Sequence, residues 1–118
     1  MNTLKIAMSC VVLCGTGTVL AAQELRLSDV GQNCAGAFVA SPVTTGDVPM
    51  RVDNNAGENI FVAWLNSQGN AEIYDNLAPG EMIEITSRPH HRWVVMDGAL
   101  NCHYQMTLGT TPEYFNIQ

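Results

Sequence analysis

From residue 48 to the C-terminus, apolar and polar positions alternate in short runs broken by Gly, Pro and Asn. Residues 48–53 alternate as a half-buried strand does, and Asn54-Asn55-Ala56-Gly57 turns the chain. Residues 59–65 (Asn-Ile-Phe-Val-Ala-Trp-Leu) are apolar on both faces, the pattern of a strand covered on both sides. After the turn Asn66-Ser67-Gln68-Gly69-Asn70 comes a short strand at Glu72-Ile73-Tyr74, and Leu77-Ala78-Pro79-Gly80 turns again. Residues 82–87 and 91–97 flank Arg88-Pro89-His90, a connection of hairpin length. Residues 100–106 and 113–117 complete the series, separated by Leu108-Gly109-Thr110-Thr111-Pro112. No helical period of useful length, internal repeat or low-complexity segment follows residue 48. About seven short strands with such turns predict an all-β fold, a sandwich or small barrel.

The first 47 residues read differently. Lys5 precedes an apolar run from Ile6 to Leu20 that ends in Ala21-Ala22, the layout of a signal peptide with cleavage expected after Ala21 or Ala22. The run is short for a membrane span and is interrupted by Ser9, Gly15, Thr16 and Gly17, so export to the periplasm or beyond the cell is expected. Residues 23–47 form an N-terminal extension to the domain at 48–118. Glu24-Leu25-Arg26-Leu27 alternates like a short edge strand, Ser28-Asp29-Val30 suits a helical turn, and Gly36-Ala37-Phe38-Val39-Ala40 suits a strand. Ser41-Pro42 and Thr45-Gly46-Asp47 read as loop.

Cys10 and Cys14 lie in the signal, leaving Cys34 and Cys102 in the mature chain. In an exported domain these are most simply one disulfide, worth roughly 2–4 kcal/mol, that pins the extension to the domain. Five basic residues face eleven acidic ones, a net charge of −6, and Lys5 leaves with the signal. Nucleic-acid binding is therefore disfavoured, because phosphate contacts need a basic face. After signal cleavage no membrane association is expected.

Candidate chemistry gathers between Tyr74 and Asp97. In a hairpin register Ser87 and His91 are paired across the loop, and period two places Trp93 on the same face. With Tyr74 and Trp64 as further walls, the result is an aromatic box holding two hydrogen-bonding groups, suited to a small hydroxylated ring. A Ser87–His91 nucleophile and base pair is the catalytic alternative. It lacks a glycine-rich elbow around Ser87, and the nearest orienting acid, Asp97, is far down the strand, so no enzymatic activity is expected. His90, His91 and His103 give no metal-ligand spacing, nor do Cys102 and His103, and no metal or cofactor is expected.

These residues resemble the β domain of the von Hippel-Lindau tumour suppressor family. The likeness runs from about Pro49 to the C-terminus: Trp64-Leu65-Asn66 before a Gly turn, Tyr74 with Leu77-x-Pro79-Gly80, Ser87 with His91-x-Trp93, then Asp97 and a Pro112-x-x-Phe115 ending. It implies a seven-stranded antiparallel β-sandwich that recognises 4-hydroxyproline in an extended peptide. By position, Trp93 is the floor under the ring, Tyr74 and Trp64 are walls, and Ser87 and His91 take the hydroxyl. Plain proline would leave those two groups without partners, at roughly 1–3 kcal/mol each. Three positions depart from the family: Arg88 replaces an aromatic, His90 a glycine and Thr86 a histidine. A residue with a side chain at His90 is expected to bend the loop differently. No helical domain follows the last strand, so no ubiquitin-ligase partner is expected. A secreted structural or inhibitory interaction module with an unoccupied box is the second reading.

Overall fold

The computed structural model describes residues 20–27, 34 and 38–118, and all of its regular structure there is β. Eight strands follow one another: β1 (Ala22–Leu25), β2 (Val48–Asn54), β3 (Ile60–Leu65), β4 (Ala71–Leu77), β5 (Met82–Ser87), β6 (Arg92–Asp97), β7 (Cys102–Thr107) and β8 (Glu113–Ile117). They form two four-stranded sheets, ordered β1-β8-β2-β5 and β4-β3-β6-β7. One apolar cluster joins them. Val48, Met50, Val52, Ile85, Phe115 and Ile117 come from the first sheet, and Ile60, Val62, Trp93, Val95, Tyr104 and Met106 from the second. The architecture is therefore sandwich-like.

Two expectations change. The strand count rises from seven to eight, because residues 22–25 pair with β8 as an edge strand. The first sheet is also mixed rather than antiparallel: β8 runs parallel to both β1 and β2. A strand inserted between β1 and β2, sequence-distant from both, is under no hairpin constraint on its direction.

The expected hairpin of residues 82–87 with 91–97 does not form. β5 pairs with β2, while β6 pairs with β3 and β7 in the other sheet. The cause lies in the connection and in the burial patterns of the two strands. Arg88-Pro89-His90-His91 closes with a hydrogen bond from His91 N–H to the Arg88 carbonyl (3.3 Å), and His90 has φ of 65°. Proline second and positive φ third make a type II turn, whose twist splays flanking strands apart instead of pairing them. β5 buries only alternate residues, as an edge strand with one solvated face does, whereas Trp93, Val94, Val95 and Met96 are all buried. β6 needs cover on both faces and finds it at the centre of the second sheet.

That second face is covered by the N-terminal extension. Ala63, Leu65, Val94 and Met96 form a second cluster, against which Phe38, Phe61 and Cys102 pack. Cys34 and Cys102 are joined in a disulfide with Cα atoms 6.1 Å apart, closing a separation of 68 residues. β3 is thus buried on both sides, as its sequence requires. Phe38 to Ala40 has no strand pairing, contrary to the expected strand there, since its backbone crosses the sheet face instead of joining an edge. Residues 36 and 37, the expected helical turn at 28–30 and residues 1–19 of the expected signal lie outside the described residues. No helix among the described residues is long and apolar enough to cross a membrane.

Buried Asn54 locks one end of the sandwich. Its Nδ2 donates to the carbonyls of Glu58 and Leu77 (2.9 Å each), and its Oδ1 accepts Ala56 N–H at 3.0 Å. The end of β2 is thereby tied to both turns beside it.

Candidate functional site

Trp64 and Trp93 sit opposite each other on neighbouring strands β3 and β6. Both belong to or pack against the inter-sheet cluster, so they line the interior side of the second sheet. Ser87 ends β5 in the facing sheet. The Trp93 indole Nε1–H donates to Ser87 Oγ at 3.0 Å, a bond between two buried side chains (3% and 5% exposed) that spans the two sheets. Ser87 therefore meets Trp93 across the sandwich and not along a hairpin. The sequence brought these two residues together by the wrong geometry.

Tyr74 reaches the same place through an irregularity. On β4 the register jumps from Val62↔Asp75 to Ala63↔Ile73, leaving Tyr74 as the extra residue of a β-bulge. Bulges re-aim side chains. Here the Tyr74 ring meets Trp93 edge-on, with centroids 5.5 Å apart and planes at 71°, while the residue stays 55% exposed. Tyr74 is the part of the cluster that faces solvent.

His91 completes the group beside Trp64. Their rings stack with centroids 5.7 Å apart and planes at 25°, and Trp64 Nε1–H donates to His91 Nδ1 at 3.1 Å. With Nδ1 accepting from Trp64, the neutral ring carries its hydrogen on Nε2. Burial pushes the His91 pKa below its ordinary value, and the Arg88 charge acts in the same sense against the Pro42 carbonyl. The imidazole is thus held neutral, with Nδ1 engaged by Trp64.

All five expected residues are therefore linked in two sets, Ser87–Trp93–Tyr74 and Trp64–His91, joined by the Trp64/Trp93 register. The two hydrogen-bonding groups differ in what they still offer. Ser87 accepts from Trp93 and keeps its own hydroxyl hydrogen, for which no acceptor stands among the described residues. The Nδ1 of His91 is already taken by Trp64. His90 adopts the left-handed conformation, at φ of 65°, so its side chain does not give the loop the different bend that was expected.

Asp97 and the other histidines lie apart from this group. Asp97 accepts Ala99 and Asn101 N–H and pairs with buried His103 (Nε2 to Oδ2, 2.9 Å) at the far end of β6. The His103 bond, followed by that of Asn101, lowers its pKa to about 2. Asp97 orients His103 and not His91, so Ser87, His91 and Asp97 do not make a relay. Among the described residues no three His, Cys, Asp or Glu side chains cluster as metal ligands would.

Sequence reasoning missed two parts of this arrangement. The contacts of Ser41 with Arg92 and of Thr44 with Pro89 come from a segment that reads only as loop. On the outer face of the first sheet, Arg51 lies over the Tyr114 ring (4.9 Å) and pairs with Asp53, which also accepts the Tyr114 hydroxyl at 2.7 Å. Alternation in β2 foretold that Arg51 and Asp53 share a face, but only the β2–β8 pairing brings Tyr114 to them. No protein-family model matches the chain, and no curated protein matches its sequence.

Proposed function

We propose that the protein is an exported, non-enzymatic binding module that recognises a small hydroxylated ring, 4-hydroxyproline in an extended peptide being the leading ligand. One observation carries the reading: the buried Ser87 hydroxyl is oriented by the Trp93 N–H and retains a hydrogen to donate, beside the exposed edge of Tyr74. A ring packed against Tyr74 and Trp93 would bring its hydroxyl to Ser87. Reaching His91 as well requires exchange, the ligand hydroxyl replacing Trp64 as the partner of Nδ1. The resemblance to the von Hippel-Lindau β domain supports the same assignment of walls and hydrogen-bonding groups. The Cys34–Cys102 disulfide is compatible with export.

Discrimination would come from the unmet hydrogen bond. A plain proline ring in contact with Ser87 would desolvate its hydroxyl without a partner, at roughly 1–3 kcal/mol, or about 5- to 150-fold in affinity. Isothermal titration of the oxidised protein with matched 4-hydroxyproline and proline peptides tests this. The hydroxylated peptide should bind at least several-fold tighter, and equal or absent binding of both would overturn the reading. No nucleic-acid, ubiquitin-ligase, metal or cofactor partner is part of the proposal.

A further inference from the structure

Residues 38–47 cross the outer face of the second sheet and converge on the loop that carries His91. Phe38 packs on the Ala63, Leu65, Val94 and Met96 cluster. Ser41 N–H donates to the Asn66 carbonyl (3.2 Å), and the Ser41 hydroxyl accepts Arg92 N–H at 2.8 Å. The Thr44 hydroxyl donates to the Pro89 carbonyl at 2.7 Å, in the turn that precedes His91. Gly46, at φ of 104°, lies where a Cβ would sit 3.7 Å from Pro89 Cγ. Apart from the Ser41–Asn66 bond, which lands in the turn just after β3, these contacts reach the loop 88–92 or the strands that carry Trp64 and Trp93.

The segment has no strand pairing of its own, and Val39 and Val43 point largely to solvent. A few hydrogen bonds and one phenylalanine must therefore offset the conformational entropy of ten ordered residues, a balance that favours local opening. Two anchors shift it. One is the entry into β2 at Val48, and the other is the Cys34–Cys102 bond, which ties the opposite end to β7. We propose that residues 38–47 are a disulfide-anchored strap that positions His91, and that the redox state of Cys34 and Cys102 sets the affinity of the aromatic site. Thr44 and Ser41 act as positioning residues, through Pro89 and Arg92 on either side of His91. The inference rests on the proposed ligand reading for its affinity arm only. Opening is a two-electron reduction: a dithiol reductant transfers two electrons and two protons to the S–S bond, leaving two thiols and itself becoming a disulfide.

The test reads the strap directly and the ligand separately. In 15N-labelled protein, the His91 imidazole and Trp64 indole Nε1–H resonances are compared between the oxidised protein and Cys34→Ser/Cys102→Ser, with Thr44→Val as a variant that keeps the disulfide. Titration with the 4-hydroxyproline peptide and its proline twin runs in parallel. Both opened variants should shift or broaden the His91 and Trp64 signals while the amides of β2 and β8 hold, and affinity for the hydroxylated peptide should fall about tenfold or more. Unchanged His91 and Trp64 signals in a folded, disulfide-free protein overturn the proposal, as does unchanged peptide affinity. If the double-serine variant does not fold, the wild-type protein held in a dithiol reductant replaces it by the same criteria, and Thr44→Val tests the hold of the strap on the loop. Movement of the His91 signal with no binding of either peptide supports the strap and overturns the hydroxyproline reading.

Discussion

Replacing Ser87 by alanine removes the one hydrogen bond that links the two sheets at the candidate site. Trp93 Nε1–H is then a donor with no acceptor, in a residue only 3% exposed. A buried orphan of this kind costs about 1–3 kcal/mol, while the alanine methyl keeps most of the volume and leaves little cavity. A domain of this size has a urea slope near the low end, about 1 kcal/mol per M, so the midpoint should fall by roughly 1–3 M. The assay is urea unfolding of the disulfide-intact protein, followed by tryptophan fluorescence. Trp93→Phe in the same background separates orphaning from packing, because phenylalanine has no donor to orphan. In the double-mutant cycle the second substitution should cost less in the alanine background than in the wild type, with coupling of about 1 kcal/mol. A cycle additive to within about 0.5 kcal/mol, or an unmoved Trp93 indole N–H resonance in Ser87→Ala, would refute the reasoning. In peptide titrations the same variant should lose affinity for the hydroxylated peptide far more than for the plain one.

Other positions make independent predictions. Asn54→Leu strands the Glu58 and Leu77 carbonyls and the Ala56 N–H at a fully buried site, and should cost about 3 kcal/mol or more in chemical unfolding. Asp97 has a depressed pKa, so the unfolded chain binds the proton more readily; its contribution is present above the ordinary carboxylate value and is lost as pH falls toward about 2. Asp97→Asn should therefore flatten the acid limb of the stability profile between about pH 4 and 2, and an unchanged limb would contradict the His103 pairing. Tyr114 is pushed up to about 12, first by burial and then by its bond to Asp53, so spectrophotometric titration should find one phenol ionising well above the ordinary value, and Asp53→Asn should bring it down. His90→Gly relieves a left-handed residue at about 1–2 kcal/mol but adds chain entropy of about 0.5–1 kcal/mol, giving a net gain of up to about 1.5 kcal/mol in thermal unfolding. A loss of stability would mean that the His90 side chain makes a contact of its own.

The alternation of residues 48–117 and its Gly, Pro and Asn breaks determined the all-β class, the seven strands after residue 47 and the two-sided burial of β3, because side-chain period two and turn chemistry are local properties. Of the four cysteines only Cys34 and Cys102 lie outside the expected signal, and that placement pointed to the disulfide. The residue types of the candidate site were legible as well, since Trp64, Tyr74, Ser87, His91 and Trp93 are few and chemically distinct. How they meet was decided elsewhere. Pairing partners depend on which strands need cover on both faces, and this sent β5 and β6 to different sheets and made the Ser87–Trp93 bond an inter-sheet contact. The bulge at Tyr74 arises from the β3–β4 register, which alternation within β4 does not encode. The strap over β3 and β6, and with it the hold of Thr44 and Ser41 on the residues flanking His91, follows from long-range packing of Phe38 and the disulfide. Contacts between residues fifty positions apart leave no periodic trace in the chain, so the tertiary structure alone decides them.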